Sequence, residues 1–331
     1  MFMLKKRKLL SIFLALCMLL TLLPVNVFAQ GDQGFMMIVN DKGYLETQGF
    51  NVFLYNTDYD RGFGDQKCAA MELILHERRI ATNGNVTLLP TPEQWDVLPT
   101  PRIISRNQDR ENNILTAELS MPDYNFNYTI KVEPEPGGVK VSLNLSNPLP
   151  EILKGRAGFS LEFLPSVYMG KSYQMEGKGG TTYGVFPASP MDPMWALIRP
   201  YDDPAKQPSY VQEWNEARGP WQALPMATGT SITMAPEDPL SCINISSDNG
   251  PLMLYDGRNR AQNGWFVLRT LIPTGKTEEA VVWHIRPNVI EGWTRDPVIA
   301  HSQAGYAPNF SKVAIIELDP KFDAPKKAKV V

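Results

Sequence analysis

The stretch that decides the fold is DYNFNYTIKVEPEPGGVKVSLNL, residues 123–145. Apolar and polar residues alternate on both sides of its Gly-Gly pair, and the apolar set comprises Tyr124, Phe126, Tyr128, Ile130, Val132, Val139, Val141, Leu143 and Leu145. Alternation with a period of two is typical of a strand that has one buried face. Gly137 and Gly138 can adopt the positive φ angles of a tight turn. The sequence therefore predicts a β-hairpin here.

Short runs of the same kind recur along the chain, at residues 49–55, 113–120, 158–164, 229–235, 241–247, 251–256, 264–272 and 279–287. The 28 prolines and 24 glycines leave little room for long helices. Many short strands with regular breaks favour an antiparallel sandwich over a parallel sheet. We therefore predict an all-β chain whose main domain is a large antiparallel β-sandwich over residues 30–290, followed by a linker at residues 287–296.

Two segments are less regular. Residues 67–79, KCAAMELILHERR, are compatible with a helix or a strand, and the alternation of Met71, Leu73 and Leu75 favours a strand. Residues 187–226 are rich in proline and are predicted to form one long loop, a kind of segment that is often functional.

The N-terminus predicts secretion. A basic group at residues 5–8 precedes an apolar run at residues 9–23, and Val27-Phe28-Ala29 matches a cleavage site. The alternative is a membrane anchor, but the run is shorter than the roughly 20 residues that a spanning helix needs. We expect a signal peptide at residues 1–29 and an extracellular mature protein.

The charge balance restricts the class of partner. The net charge is −3, and removal of a signal segment with four positive charges gives −3 − 4 = −7. An acidic mature chain lacks the basic surface that nucleic acids or anionic membranes need. We expect no nucleic-acid partner and, after signal cleavage, no membrane partner. A neutral polysaccharide is compatible with this charge.

Cys68 and Cys242 are the cysteines that remain after processing. An extracellular location permits a disulfide between them. Two buried thiols are an equal alternative, because two distant cysteines do not make a disulfide scaffold.

A search for catalytic patterns assigns no catalytic residue, cofactor or metal. The sequence contains neither a Gly-x-Ser-x-Gly elbow nor a phosphate-binding glycine loop. His76, His284 and His301 do not have the spacing of zinc ligands. His76 and His284 lie in strand-like runs, and a hydrogen-bonded or surface histidine is the better interpretation of each.

Two weaker patterns suggest ligand sites. In DYDRGFGD, residues 58–65, the carboxylates of Asp58, Asp60 and Asp65 make a weak candidate for calcium, although a solvated acidic turn fits better. The Pro-rich segment carries Trp195, Trp214 and Trp221, whose rings are candidates for stacking on sugars. The alternative is that these rings cover the sandwich core, since tryptophan is heavily buried on average.

The C-terminal stretch HSQAGYAPNFSKVAIIELDP, residues 301–320, carries a resemblance. Residues 303–309 and 312–316 resemble the opening of the immunoglobulin-like domain that precedes the catalytic barrel in many family 9 glycoside hydrolases, with a departure at Ser302. The resemblance implies that residues 296–331 begin such a domain, with Val313 and Ile315 in its core. A complete module needs roughly 80 to 100 residues, so we expect residues 296–331 to be an incomplete part of it.

A softer resemblance covers residues 49–96 and 157–173, which are similar to a β-rich region found ahead of that domain in a subset of bacterial family 9 enzymes. The family's catalytic Asp-Ala-Gly-Asp motif and its helical barrel have no counterpart in this sequence. The resemblance therefore implies a non-catalytic forepart of a secreted, cellulase-like enzyme acting on β-glucans, which supports a downstream catalytic domain.

Two other functions are weighed against this one. The first is a freestanding carbohydrate-binding sandwich that binds sugars through the Pro-rich segment at residues 187–226, called below the tryptophan-rich segment. The second is an epimerase or lyase built on the sandwich itself, which ranks last because no His-and-Glu constellation is evident and fold analogy alone is a weak argument.

Overall fold

A computed structural model of the protein describes residues 35–59, 67–89, 91–92, 101–189, 196–198, 221–259, 265–319 and 321–322. The predicted signal peptide lies outside the described residues. Within them, no helix combines the length and the apolar character needed to cross a membrane.

The described residues form 22 strands. In chain order they are β1 (Ile38–Val39), β2 (Leu45–Thr47), β3 (Phe50–Tyr59), β4 (Lys67–Leu75), β5 (Arg78–Thr87), β6 (Arg102–Asp109), β7 (Ile114–Met121), β8 (Phe126–Glu135), β9 (Gly138–Leu145), β10 (Gly158–Phe163), β11 (Ser172–Gly177), β12 (Gly180–Val185), β13 (Ala196–Ile198), β14 (Trp221–Ala223), β15 (Pro225–Gly229), β16 (Ser231–Met234), β17 (Ile243–Ser247), β18 (Leu252–Asp256), β19 (Phe266–Leu271), β20 (Val281–Pro287), β21 (Val298–His301) and β22 (Ala314–Glu317). The longest helical element among these residues is a single turn at Pro165–Tyr168.

Most strands belong to two large antiparallel sheets. The first sheet has nine strands in the order β1-β2-β3-β4-β5-β10-β19-β18-β15. The second sheet also has nine strands, in the order β12-β11-β16-β17-β20-β9-β8-β7-β6. Two smaller pairs, β13-β14 and β21-β22, stand outside them. The protein is thus an all-β sandwich, as the sequence predicts.

The predicted hairpin at residues 123–145 is confirmed as β8 and β9, with Val132 opposite Val141. Gly137 makes the turn at a φ of +77°. A side chain on Gly138 would overlap the carbonyl oxygen of Ile285 on the neighbouring strand, so glycine is required there. The first strand starts later than predicted, at Phe126, because residues 122–124 form a 3₁₀ turn.

The core lies between the two large sheets and holds the inward-facing side chains of both. Its largest buried side chains include Trp283, Tyr128, Phe159 and Phe163. The rings of Phe159 and Trp283 meet edge to face, with centroids 5.0 Å apart, a favourable geometry for aromatic pairs. Burial of this apolar surface is the main stabilising contribution to the fold.

Two hydrogen bonds cross the core and join the sheets. The Tyr128 hydroxyl donates to Asn85 Oδ1 at 2.8 Å, and Trp283 Nε1 donates to Thr270 Oγ1 at 3.0 Å. Burial raises the pKa of Tyr128 far above its ordinary value, so the phenol stays protonated and remains a donor. Because a polar atom buried without a partner is costly, these two bonds fix the position of one sheet against the other.

The other sequence predictions for these elements have mixed outcomes. The remaining apolar runs are strands, and residues 67–79 form β4 and the start of β5, as favoured. The prediction of one long loop at residues 187–226 is wrong in part, because it contains β13, β14 and the start of β15. Cys242 is a free, buried cysteine, and burial raises the pKa of its thiol to about 12. The unpaired alternative therefore holds for Cys242.

The Tyr128→Phe variant should show how much one inter-sheet hydrogen bond contributes. It leaves the buried Asn85 Oδ1 without the Tyr128 hydroxyl that donates to it, so we expect a loss of about 1–2 kcal/mol in the free energy of unfolding, measured with urea. Tyr183→Phe is the matched control. Tyr183 is exposed, and its substitution should change the stability by less than about 0.5 kcal/mol. Equal effects of the two variants would contradict a stabilising role for the Tyr128 bond.

Candidate functional site

Most of the residues that the sequence singles out for ligand binding cannot be placed. Four of them lie outside the described residues: Trp195, Trp214, Asp60 and Asp65. Trp221 contributes backbone to β14 and Asp58 contributes backbone to β3, but the structure describes neither side chain. The carbohydrate and calcium interpretations of these residues therefore stay predictions.

The most elaborate polar site among the described residues begins at the turn between β4 and β5. His76 and Glu77 occupy this turn with φ angles of +49° and +58°. Such turns match the twist of a hairpin but normally use asparagine or glycine. The His76 ring explains the exception. It lies against the Trp293 ring, with centroids 5.1 Å apart, and its nitrogens contact the Leu240 carbonyl at 3.0 Å and the Ile290 N–H at 3.3 Å.

These contacts define the protonation state of His76. The Ile290 N–H donates to Nε2, so Nε2 has no proton and Nδ1 donates to the Leu240 carbonyl. Burial lowers the pKa of His76, and the Leu240 bond and the nearby Asp238 charge oppose this shift only partly. A neutral imidazole therefore connects the hairpin turn to the chain that leaves the sandwich.

That exit segment, residues 288–297, carries no strand but is fixed to the sandwich by hydrogen bonds. Gln48 Nε2 donates to the Trp293 carbonyl at 2.6 Å. The Asn288 N–H donates to the Cys242 carbonyl at 2.9 Å. The segment thus differs from a flexible linker, whose backbone is solvated along its length.

Arg295 extends this fixation to the last strand pair. Its guanidinium lies 3.1 Å from Glu77 Oε2 on the sandwich and 2.8 Å from Glu317 Oε1 on β22. Its backbone N–H donates to Asp319 Oδ2 at 3.1 Å. Hydrogen bonds from the Lys321 and Arg295 backbones hold the pKa of Asp319 below its ordinary value. We call His76, Glu77, Trp293 and Arg295 the joint.

Beyond the joint, β21 and β22 form an antiparallel ribbon with Ile299 opposite Ile316. All eight ribbon residues are exposed, and Ile299 and Ile315 are 63% and 65% exposed. The sequence predicts Val313 and Ile315 in a domain core, but here both are exposed, because no described strand besides β21 pairs with β22. The Tyr306 hydroxyl, which donates to the Val313 carbonyl, closes the loop between the two strands. An isolated two-stranded ribbon with apolar side chains is marginally stable in water.

A second polar feature lies on the face of the first sheet opposite to the core. Glu72 on β4 pairs with Arg79 Nε at 2.9 Å and accepts from Thr82 Oγ1 at 3.2 Å. Glu162 on β10 accepts from Asn83 Nδ2 at 2.8 Å. Both carboxylates are therefore held by neighbouring residues of β5.

Arg269 on β19 continues this buried row. It donates to Ser160 Oγ at 2.9 Å and to the Leu89 carbonyl at 2.6 Å. Glu72, Glu162 and Arg269 are only 2%, 1% and 0% exposed, so the row joins strands rather than presenting charge to solvent. The sequence alone did not predict this buried row. Its trace in the sequence is a single charged residue at an outward position of each otherwise apolar strand.

His284 on β20 is the centre of a third polar group, on the outer face of the second sheet. Its ring nitrogens lie 2.7 Å from Glu135 Oε2 and 3.1 Å from Asp248 Oδ2. Ionised carboxylates only accept hydrogen bonds, so both ring nitrogens must donate, and only the imidazolium does so. Burial lowers the pKa of His284, but the bonds to Glu135 and Asp248 outweigh it and the net shift is upward. As the sequence indicates, His76 and His284 are hydrogen-bonded.

Comparisons with known proteins identify no family for this chain. No family model matches it, and no curated protein matches it. Among solved structures, a crystal structure of the Slr1438 protein from Synechocystis sp. PCC 6803 matches 77% of this chain and 93% of its own length, at 13% identity and a TM-score of 0.34.

The His284 group predicts a stability that depends on pH. Because the folded-state pKa is raised, the stabilisation is complete below the ordinary histidine pKa of about 6.5 and is lost as the pH rises through the folded-state value. We therefore expect His284→Gln to destabilise the protein more at pH 6 than at pH 9 in urea unfolding. His301→Gln, at an exposed histidine on the ribbon, is the control and should show no such difference. A His284→Gln effect that is the same at both pH values would refute the imidazolium assignment.

Proposed function

We propose that this chain is the non-catalytic forepart of a secreted, polysaccharide-degrading glycoside hydrolase of the cellulase type. In this proposal the large sandwich holds an immunoglobulin-like module, which begins with the β21–β22 ribbon, and through it a catalytic barrel. The observation that carries the proposal is the joint, which links Glu77 on the sandwich to Glu317 on the ribbon through Arg295.

The joint supports a positioning role because it restricts the exit of the chain. A binding module that only tethers an enzyme to its substrate works through a flexible linker, where few contacts cross between domains. Here the exit segment is held by the Gln48 amide, the His76 ring and the Glu77 carboxylate. Such an arrangement fixes the direction in which the following module is presented.

The ribbon supports the same role from the other side of the joint. Its apolar side chains, among them Ile299 and Ile315, remain exposed. Ile299 and Ile315 lie on opposite faces of the ribbon, because Ile299 is opposite Ile316 and Ala300 is opposite Ile315. Further strands of a small sandwich would bury one of these faces and supply its hydrophobic core. The match of residues 303–309 to the opening of the family 9 immunoglobulin-like domain adds the substrate class, a neutral β-glucan, which suits an acidic protein.

The gene itself offers the direct test. We expect the reading frame to continue after codon 331 through the rest of an immunoglobulin-like domain into a helical barrel with an Asp-Ala-Gly-Asp motif. The purified 331-residue chain should show no turnover of carboxymethyl cellulose, glucomannan or xylan. A reading frame that enters an unrelated module, or turnover by this chain alone, would overturn the proposal.

The joint can be tested by limited proteolysis. Arg295→Ala removes the ion pairs to Glu77 and Glu317, so we expect cleavage within residues 298–319 to become about threefold faster as the ribbon opens more often. Arg110→Ala removes a comparable surface ion pair with Asp41, far along the chain, and should leave that rate unchanged. Equal cleavage rates for the two variants and the unaltered protein would show that the joint does not hold the ribbon.

A further inference from the structure

The outer face of the second sheet carries a row of polar side chains that runs straight across five strands. Tyr183 on β12 lies opposite Gln174 on β11, and Gln174 lies opposite Thr233 on β16. Thr233 lies opposite Asn244 on β17, which lies opposite Arg286 on β20. We call these five residues the outer row. With strands about 4.8 Å apart, four spacings give the row a length of about 19 Å.

The outer row faces solvent. The residues that alternate with it along the same strands are buried in the core: Tyr173, Met175, Ile232, Met234, Ile243 and Ile245. Tyr183 itself is 71% exposed, among the most exposed large side chains in the described part of the protein.

The groups in the outer row are suited to an uncharged ligand rich in hydroxyls. Tyr183, Gln174, Thr233 and Asn244 are all neutral. Tyr183 is exposed and Gln174 is half-buried, and no hydrogen bond is recorded within the described residues for the Gln174 side chain or the Tyr183 hydroxyl. Arg286 at the other end lies 2.9 Å from Glu135 and belongs to the group of His284, Glu135 and Asp248, in which two cations balance two carboxylates.

Part of the outer row is already held in place. Asn244 Nδ2 donates to Thr233 Oγ1 at 3.0 Å and to Ser231 Oγ at 3.1 Å. This leaves the Asn244 carbonyl oxygen with a fixed direction. A ligand that meets side chains already fixed in place loses less entropy on binding than one that must order them.

We propose that the outer row binds an extended, neutral β-linked polysaccharide that lies across the strands. The Tyr183 ring stacks on the apolar face of one sugar, and Gln174, Thr233 and Asn244 form hydrogen bonds with the hydroxyls of the following sugars. A row of this length suits a polymer rather than a single sugar. The proposal rests on the substrate class in the proposed function and adds a binding surface that is separate from the tryptophan-rich segment.

Affinity electrophoresis of the full 331-residue chain in gels with soluble mixed-linkage β-glucan, glucomannan or xylan tests this proposal. We expect retardation of the unaltered protein by at least one of these polymers. Tyr183→Ala should weaken the affinity about tenfold, a typical effect for an aromatic anchor, while its urea midpoint stays unchanged. Tyr183→Phe keeps the ring and should lose much less.

Thr233→Val and Thr129→Val provide a matched pair. Both threonines lie on the outer face of the second sheet and are half-buried, but Thr129 on β8 is outside the outer row. We expect weaker binding for Thr233→Val only.

Absence of retardation by all three polymers would overturn the outer-row proposal, and so would an unchanged affinity of Tyr183→Ala. Loss of binding in Trp214→Ala and Trp221→Ala but not in Tyr183→Ala would assign the site to the tryptophan-rich segment instead. None of these results bears on the reading frame or on the joint, so the two proposals fail separately.

Discussion

Burial of one apolar face from each large sheet is the interaction on which the rest of the structure depends. The inward side chains, such as Phe159 and Trp283, pack ring against ring, and two hydrogen bonds that cross the core fix the facing of the sheets. Once the inward face is set, the period of two in each strand also sets the outward face. The polar surfaces are therefore consequences of the core.

Polar side chains on the outward faces of the two sheets differ in their exposure. On the first sheet, Glu72, Glu162 and Arg269 are buried and hydrogen-bonded to side chains or carbonyls of nearby strands. A buried ion pair adds little net stability, because the desolvation of its charges offsets much of their attraction. On the second sheet, Gln174 is half-buried and Tyr183 is exposed, and both belong to the surface that we propose for ligand binding.

In the joint, an unfavourable backbone conformation at one turn is offset by contacts with residues far along the chain. Left-handed conformations at His76 and Glu77 are unfavourable for these residue types, but they place an imidazole on Trp293 and a carboxylate on Arg295. The same short turn thus ends the β4–β5 hairpin and fixes the exit of the chain. This link between sandwich and ribbon is the physical basis for the supporting role that we propose.

The sequence by itself determined the all-β class and the strands with regular alternation, such as β8, β9 and β20, because alternation with a period of two depends only on local order and on burial of one face. It also indicated hydrogen-bonded roles for His76 and His284. It did not predict strands such as β6 and β12, most of whose residues are exposed. It did not determine the buried row, the joint or the outer row, since each brings together residues far apart in the chain, such as Glu77 with Arg295 or Tyr183 with Asn244. Only the order and register of strands in the tertiary structure decided which outward side chains became neighbours, and no local pattern encodes that order.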